Sequence, residues 1–527
     1  MSLTTAISGS DSGNGVQDTG VVMISADTVP PPAMVLCDNT PPSRASFSSD
    51  SLQPDMTSRT HLTDAETPAS PLAPVLPAKG TLSWGKLEGD SLSLALACAT
   101  RTHDGLLVVV TPDMQSADHL YDRIGFFLDG TDTTRHVLPD WETLPYDVFS
   151  PHQDIISGRL STLYHLTGIR HGILIIPVST LMQRLAPREF LYRNSLIMRK
   201  GERLDLDAMR ERLDSAGYRC VSQVMEHGEF AVRGSLLDLF PMGSDMPYRI
   251  DLFDDEIDSI KTFEIETQRS VESCESINLL PAREFPLHEE AVRLFRKQFR
   301  ARFEGDPQGS TIYRDVSEGI VPGGIEYYLP LFFDTTETLY DYLPEVTTLV
   351  MLDGAEAAGE SFLEQAGERY EARRHDRERP ILPPDALFID SGELLTFNRR
   401  YPMVRVETLR QPDKPDRLVR YDTALPGDLK MRQRAEQPAA PLQAFLRNHP
   451  GRVLFTAESA GRRETLADQL RGLDMPVTVV SGWQAFLDSE VTVGLTVAPL
   501  EQGLVVHDPA IAVITETSLF GEHARQS

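Results

Sequence analysis

Cysteine is scarce in this sequence. The 527 residues contain four cysteines, at Cys37, Cys98, Cys220 and Cys274. No two of them form a C-x-x-C pair, which is the spacing that structural zinc sites and redox motifs use. The scarcity fits a reducing compartment. We expect no metal site and no bound cofactor in this chain.

Long apolar runs and net positive charge are also missing. No run of 18 apolar residues occurs, and the amino terminus lacks the basic and then apolar layout of a signal peptide. We therefore expect a cytoplasmic protein without a membrane partner. The net charge is -28, which argues against a general binder of nucleic-acid backbones but does not exclude a local basic patch.

The chain is long enough for three or four domains. Its first stretch, residues 1–78, is rich in Ser, Thr, Pro, Asp and Gly and shows neither a helical nor a strand period. Such a segment cannot bury enough apolar area to offset the entropy lost on ordering. We predict that residues 1–78 are a disordered tail.

Two separate stretches alternate short apolar strands with helices. Residues 79–194 contain candidate strands at 106–110 and 173–176, and residues 282–416 contain another at 349–352. Buried apolar strands that alternate with helices are typical of a parallel sheet covered on both faces. The predicted fold class is multidomain α/β.

A phosphate-binding loop is almost present at the start of this region. The sequence GTLSWGKL, residues 80–87, matches such a loop except at its end, where Leu87 replaces the Ser or Thr that holds magnesium. Residues 76–79 also lack the pattern of the buried strand that should precede the loop. We therefore expect no nucleotide at this position.

The most strongly patterned stretch is residues 225–263. Within it, apolar and polar side chains alternate over YRIDLF, residues 248–253, which places the two sets on opposite faces of a strand. The pattern predicts a small antiparallel sheet with one buried and one wet face. Arg249 and Phe253 would lie on the wet face, with Arg233 on a nearby strand.

An exposed aromatic residue near two arginines is typical of a protein interface, because aromatic residues and arginine carry much of the binding energy there. The alternative is purely structural. In it, Arg249 pairs with Asp251 or Asp255, Phe253 lies under a loop, and Arg233 pairs with Asp238.

The same stretch carries a family resemblance. VRGSLLDLFPMGSDMPYRIDLFDDEIDSIKTF, residues 232–263, resembles the domain shared by excinuclease B and the bacterial transcription-repair coupling factor. Three further stretches resemble the coupling factor in particular, and the resemblance runs in order from residue 80 to the carboxyl terminus. These are LPDWETLPYDVFSPHQDIISGRLSTLYHL (138–166), GIEYYLPLFF (324–333) and ITETSLFGE (514–522).

The resemblance implies a docking function. In the family this domain docks excinuclease A, the protein that works together with excinuclease B, and Arg233, Arg249 and Phe253 match the docking residues by position. The chain would then be an adaptor that recruits excinuclease A to stalled RNA polymerase in transcription-coupled nucleotide excision repair. No catalysis of its own is expected.

The resemblance also implies a degenerate nucleotide fold. Aligned with excinuclease B, the nucleotide loop falls on GKLEGDSLS, residues 85–93, with Gly85, Lys86, Gly89 and Ser91 at its key positions. Gly-Asp-Ser at residues 89–91 stands in place of the required Gly-Lys-Thr. Excinuclease B also carries a DNA-pinning aromatic hairpin, for which residues 151–158 leave no room.

The family arrangement implies domain boundaries. The docking domain, 195–281, is an insertion in an α/β domain made of residues 79–194 and 282–416. A linker at 417–440, a small separate α/β domain at 441–515 and the start of a second linker at 516–527 follow. In the family, a polymerase-binding domain and a DNA motor that uses ATP and magnesium come next.

We expect RNA polymerase and DNA to be reached only through those later domains, and we expect a monomer. In the intact family member a distant carboxy-terminal domain masks the docking surface, so we expect that surface to be exposed here. Two alternatives stay open. One is a part of an ATP-dependent DNA translocase, and the other is a direct binder of damaged DNA.

Overall fold

The computed structural model describes residues 69–407, 417–431 and 437–521. The chain divides into residues 1–62 and residues 63–527, and all described residues lie in the second unit. Most of the tail predicted at residues 1–78 is therefore outside the described residues. Residues 69–78 are described, and they lie against the first sheet: the buried indole of Trp84 donates its Nε1–H to the carbonyl of Val75 at 2.8 Å.

The first part of the α/β domain follows the predicted alternation. The carboxylate of Asp113 accepts the backbone N–H of Ser116 at 2.7 Å and so begins the second helix. Its elements are β1 (Thr81–Gly85), α1 (Ser91–Thr102), β2 (Leu106–Thr111), α2 (Met114–Leu128), β3 (Thr134–Val137), α3 (Gln153–Leu166), β4 (Gly172–Pro177), α4 (Val178–Leu181) and α5 (Arg188–Arg193).

The insertion forms a mostly antiparallel sheet, as predicted. Its strand order is β11-β10-β9-β8-β7-β6, with a separate pair β12-β5, and only the short β6 runs parallel to its neighbour. The elements are β5 (Leu196–Arg199), α6 (Leu206–Ser215), β6 (Arg219–Cys220), β7 (Glu229–Arg233), β8 (Leu236–Leu239), β9 (Tyr248–Phe253), β10 (Glu256–Phe263), β11 (Ser270–Cys274) and β12 (Ser276–Leu279).

The second part of the α/β domain returns to the first sheet. Its two strands enter between strands of the first part, which is why the insertion interrupts the domain without dividing the sheet. The elements are α7 (Glu289–Arg302), α8 (Thr311–Ser317), α9 (Leu339–Tyr342), β13 (Thr347–Met351), α10 (Ala355–Arg373), α11 (Pro384–Leu387), α12 (Ser391–Asn398) and β14 (Met403–Glu407), with 3-10 turns at Pro307–Gly309 and Ile325–Leu331.

The carboxy-terminal region adds one strand to the first sheet and builds a second α/β sheet. The elements are β15 (Arg417–Arg420), β16 (Thr423–Ala424), α13 (Ala440–Asn448), β17 (Arg452–Ala457), α14 (Ala460–Gly472), β18 (Thr478–Val479), α15 (Trp483–Asp488), β19 (Val493–Val497), β20 (Leu504–Val506), β21 (Ile511–Thr515) and α16 (Glu516–Phe520).

The first sheet has the order β15-β1-β14-β13-β2-β4-β3, and every pair in it is parallel. Alternate residues of β2 enter different cores: Leu106 and Val108 pack in one cluster, which also contains Ile250 of the insertion. Leu107 and Val109 pack in the other, which also contains Trp483. Both faces of the sheet are thus covered, as predicted.

Both segments predicted as linkers contain regular secondary structure. The linker at 417–440 contains β15, which pairs with β1, and β16, which pairs with β20. The linker at 516–527 begins with α16, whose Leu519 is buried, while residues 522–527 lie outside the described residues. The region predicted as a small α/β domain, 441–515, packs against the first part of the chain through Trp483, which lies edge-on to Phe127 of α2 at 5.2 Å.

None of the helices in the described ranges is both long enough and apolar enough to cross a membrane.

Candidate partner-docking site

Two tight turns place the predicted docking residues at one end of the insertion sheet. Gly234 and Ser235 connect β7 to β8, and Arg233 pairs with Leu236 across that turn. A second two-residue turn connects β9 to β10 just after Phe253. β7 and β9 both run toward this end, because each is antiparallel to β8. Gly234 adopts a φ of +63°, which a two-residue hairpin turn requires.

The buried carboxylate of Asp238 organises this face. Asp238 lies on β8 directly opposite Arg249 on β9. Its Oδ1 accepts the Nε–H of Arg249 at 2.7 Å, and its Oδ2 accepts an Nη2–H of the same residue at 2.9 Å. Arg233 donates to the same Oδ2. One buried carboxylate therefore holds both arginines, and the charge of Asp238 is balanced by their guanidinium groups.

Arg249 has two further contacts that fix its orientation. Its Nη1 donates to the carbonyl of Gln268 at 3.1 Å. Its guanidinium lies over the ring of Phe263, 4.9 Å from the centroid, a favourable cation–π arrangement. The hydrogen bonds to Asp238 raise the pKa of Arg249, so the group stays charged. The side chain is 21% exposed.

The exposed part of the face consists of Arg233 and Phe253. The Arg233 side chain is 51% exposed, and Phe253 is 75% exposed, so it does not lie under a loop. Arg249 pairs with Asp238 and not with Asp251 or Asp255. The purely structural alternative is therefore right about Arg233 pairing with Asp238, and wrong about Arg249 and Phe253.

The predicted wet face is not wet throughout. Phe263 is fully buried on it, in a small cluster with Val224, Ala231 and Phe240. Sequence reasoning missed Phe263 and Gln268 as supports of Arg249. A signal was available for Asp238, because a carboxylate within the apolar strand Leu-Leu-Asp-Leu must be paired when it is buried.

The structure also shows the surroundings of the predicted degenerate nucleotide loop. β1 ends at Gly85 and α1 begins at Ser91, which is the strand, loop and helix order of a phosphate-binding site. At the helix start, however, the Asp90 carboxylate accepts the backbone N–H groups of Gln502 at 3.1 Å and Gly503 at 2.8 Å. Burial raises the pKa of Asp90.

The remaining loop residues do not fit a nucleotide either. The exposed Lys86 lies 3.9 Å from Asp422. A Cβ on Gly89 would lie 2.2 Å from the carbonyl oxygen of Gly503, so backbone fills the space in front of the loop. Ser91 is buried. A carboxylate and a backbone carbonyl occupy the place where phosphate oxygens would need donors.

A further prediction concerns the segment that follows Pro151. α3 begins at Gln153, directly after Pro151, so no hairpin lies between residue 151 and residue 158. Within the described ranges, no group of three His, Cys, Asp or Glu side chains is arranged to hold a metal ion.

Comparison with known families supports the assignment of two regions. A family described as the UvrB interaction domain matches residues 196–285. A second family, described as the MFD D3 domain, matches residues 445–519. The first match coincides with the insertion that carries Asp238, and the second with the carboxy-terminal sheet.

Curated relatives match over a longer stretch. The transcription-repair-coupling factor of Escherichia coli is 45% identical over 442 residues, which is 83% of this chain and 38% of that protein. The protein of the same name from Haemophilus influenzae is 43% identical over 440 residues, 82% of this chain and 38% of that protein. The chain thus spans well under half of these relatives. It is similar over most of its length to the amino-terminal portion of the transcription-repair coupling factors, and it carries a UvrB interaction domain.

Proposed function

We propose that this chain is an adaptor that docks excinuclease A through Arg233, Arg249 and Phe253. The observation that carries the proposal is an exposed phenylalanine on the same sheet face as two arginines that a buried carboxylate holds in place, within a domain that matches the UvrB interaction family. Arginine and aromatic residues are the side chains that most often dominate binding energy at protein interfaces.

The geometry suggests the chemistry of the partner surface. Arg233 is half exposed and makes its contact to Asp238 through one guanidinium nitrogen. Its other nitrogens can donate to carboxylates of the partner. Phe253 would fill an apolar recess, since a phenylalanine exposed to this extent gains most when a partner removes it from water.

Arg249 would position the other side chains of this surface. Arg249 is mostly covered and holds Asp238 from the opposite strand, so it orients the carboxylate that also holds Arg233. A preorganised side chain loses less entropy on binding than a free one.

The wider function follows as part of the same proposal. The chain would recruit excinuclease A to stalled RNA polymerase in the cytoplasm during transcription-coupled nucleotide excision repair, with surface complementarity and no chemical step. Contacts with RNA polymerase would come from regions of the relatives that this chain does not match.

The test is a binding measurement of excinuclease A to this chain and to Phe253→Ala. The variant should bind about 30-fold to several hundred-fold more weakly, since a central aromatic anchor contributes about 2–4 kcal/mol. Phe149→Ala is the matched control, because Phe149 is 69% exposed and lies outside the insertion.

Arg249→Ala should also lose binding, and its melting temperature has to be compared with the parent because Arg249 supports the sheet. Equal affinity of the parent and a folded Phe253→Ala would contradict the proposed surface. Absence of binding by the parent chain would contradict the adaptor function itself.

A further inference from the structure

A strongly basic face lies on α7, outside the insertion. Arg293, Arg296, Lys297 and Arg300 follow each other at helical spacing. These four side chains alone line a concave space of about 290 Å³. The chain as a whole carries a net charge of -28, so a surface lined only by cations has a charge opposite in sign to that of the whole chain.

The fold uses these charges only in part. Arg296 donates to the buried Tyr313 hydroxyl at 3.3 Å, and Arg300 donates to the same oxygen. Arg293 lies 4.0 Å from Glu289 and from Glu290, both of which are well exposed. Among the described residues, no carboxylate lies within 4.0 Å of the three cations that follow Arg293 on this face.

The helical spacing of these four cations does not stabilise α7. Like charges three or four residues apart on a helix repel each other by about 0.2–0.5 kcal/mol per pair. The four cations include several such pairs, and neutral residues at these positions would avoid the repulsion. The arrangement becomes favourable when an external anion neutralises it.

We propose that this face, Arg293 to Arg300 of α7, binds the phosphate backbone of DNA without regard to base sequence. Arg293 and Arg300 are separated by seven residue steps, which is about 10 Å along the helix axis. One DNA strand presents a phosphate about every 3.4 Å of its axis. The face therefore matches about three consecutive phosphates, and three arginines and one lysine are the side chains that commonly contact them.

The absence of an apolar anchor favours nucleic acid over an acidic protein. The large aromatic residues of α7, Phe295 and Phe299, are buried, and none of the exposed large apolar residues in the described part of the chain lies on this helix. A protein interface needs such an anchor at its centre. Binding to a phosphate backbone is driven by cations and the release of counterions.

The neighbouring groove limits the length of the contact. A groove of about 690 Å³ begins at the carboxyl end of α7, and its charged lining is mixed: it contains the carboxylates of Glu304, Asp306 and Asp376 and the guanidinium groups of Arg302, Arg374 and Arg377. The groove therefore does not extend the purely cationic face beyond Arg300. The contact is therefore short and sensitive to salt, which agrees with the acidic composition of the whole chain.

The experiment is fluorescence anisotropy of a labelled 20-base oligonucleotide, single-stranded or duplex, with the full 527-residue chain at 20–200 mM salt. With about three phosphates neutralised, the logarithm of the duplex binding constant should fall with the logarithm of salt at a slope of about -2.7. The double variant Arg293→Gln/Lys297→Gln leaves two of the four cations and should reduce the slope to about -1.8 or less in magnitude. Neither residue contacts the buried Tyr313, so the fold is preserved.

The matched control is Arg193→Gln/Arg471→Gln, which removes the same charge from exposed positions on two other helices. Its slope should equal that of the parent. The proposal is supported if the single-stranded or the duplex oligonucleotide shows a reduced slope with the double variant and the parental slope with the control. An equal loss of slope in the control would overturn it, and so would binding to polyglutamate without binding to DNA, which would indicate an acidic protein partner.

Discussion

Asp238 and Arg249 lie opposite each other on neighbouring strands and share two hydrogen bonds, of 2.7 and 2.9 Å. The exposed Arg233 donates a hydrogen bond to the same carboxylate, so the pair of Asp238 and Arg249 supports the position of Arg233. The proposed docking surface therefore depends on Asp238, a buried residue that a partner would not contact.

Asp238→Ala should reduce the free energy of unfolding by about 2–3 kcal/mol, because a buried acceptor of charged hydrogen bonds is lost and Arg249 is left partly buried without its partner. Urea denaturation measures the change. Asp468→Ala removes an exposed carboxylate paired with Arg471, and it should change stability by less than about 0.5 kcal/mol. Equal losses in both variants would show that Asp238 does not organise the sheet.

Arg249→Lys should destabilise the protein more than Arg233→Lys. Arg249 uses two nitrogens on Asp238 and a third on the Gln268 carbonyl, whereas Arg233 uses one. An ammonium group cannot reproduce a planar fork. We expect a difference of about 1 kcal/mol in thermal or urea unfolding. A larger loss from Arg233→Lys would contradict the assigned functions of the two arginines.

Gly89→Ala should destabilise the chain more than Gly80→Ala. Both glycines have positive φ, of +61° and +70°, so each substitution costs about 1–2 kcal/mol in backbone strain. Only the Cβ at residue 89 would collide with the carbonyl oxygen of Gly503, since that at residue 80 meets no atom within 4 Å. The difference in melting temperature measures how tightly the carboxy-terminal region closes the degenerate loop, and equal melting temperatures would contradict that closure.

Glu326 should make stability depend on pH. Burial raises the pKa of Glu326 to about 7 from 4.5, and its Oε2 accepts the Ser150 hydroxyl at 2.9 Å. Between these values the folded state holds a proton that the unfolded state has lost, so the contribution of Glu326 to stability is full below pH 4.5 and is lost as the pH rises through 7. The change attributable to this group is about 1–3 kcal/mol.

Glu326→Gln is the comparison for this prediction. The amide preserves the shape of the side chain and does not titrate, so the variant should lose this part of the fall in stability between pH 4.5 and 7.5. Urea unfolding at three pH values measures it. Parallel profiles for the parent and the variant would show that Glu326 is already ionised in the folded protein.

Local sequence patterns were sufficient to predict many of the strands. The apolar runs at 106–110 and 173–176 correspond to β2 and β4, and the alternation at 248–253 corresponds to β9. Each of these patterns reflects burial along a single strand, which neighbouring residues reveal by themselves. The degenerate loop, in contrast, was implied by the family resemblance, which places Asp90 and Ser91 where a lysine and a threonine are required.

The partner of Arg249 was not predictable in this way. Asp251 and Asp255 are closer in sequence, yet the register of β8 against β9 places Asp238 opposite the arginine. The strands β15 and β16 were missed for a similar reason, because short polar segments become strands only when an existing sheet edge accepts their hydrogen bonds.

The sequence by itself determined the α/β class through residue types and local periodicity, and its family resemblance implied the insertion, the docking residues to be tested and the degenerate loop. Tertiary structure decided which carboxylate holds the arginines, how far Phe253 is exposed, and that the segment at Gly503 closes the loop at Asp90. Those features depend on contacts between residues as much as 413 positions apart, and such contacts arise only when the strands take their register and the two cores form.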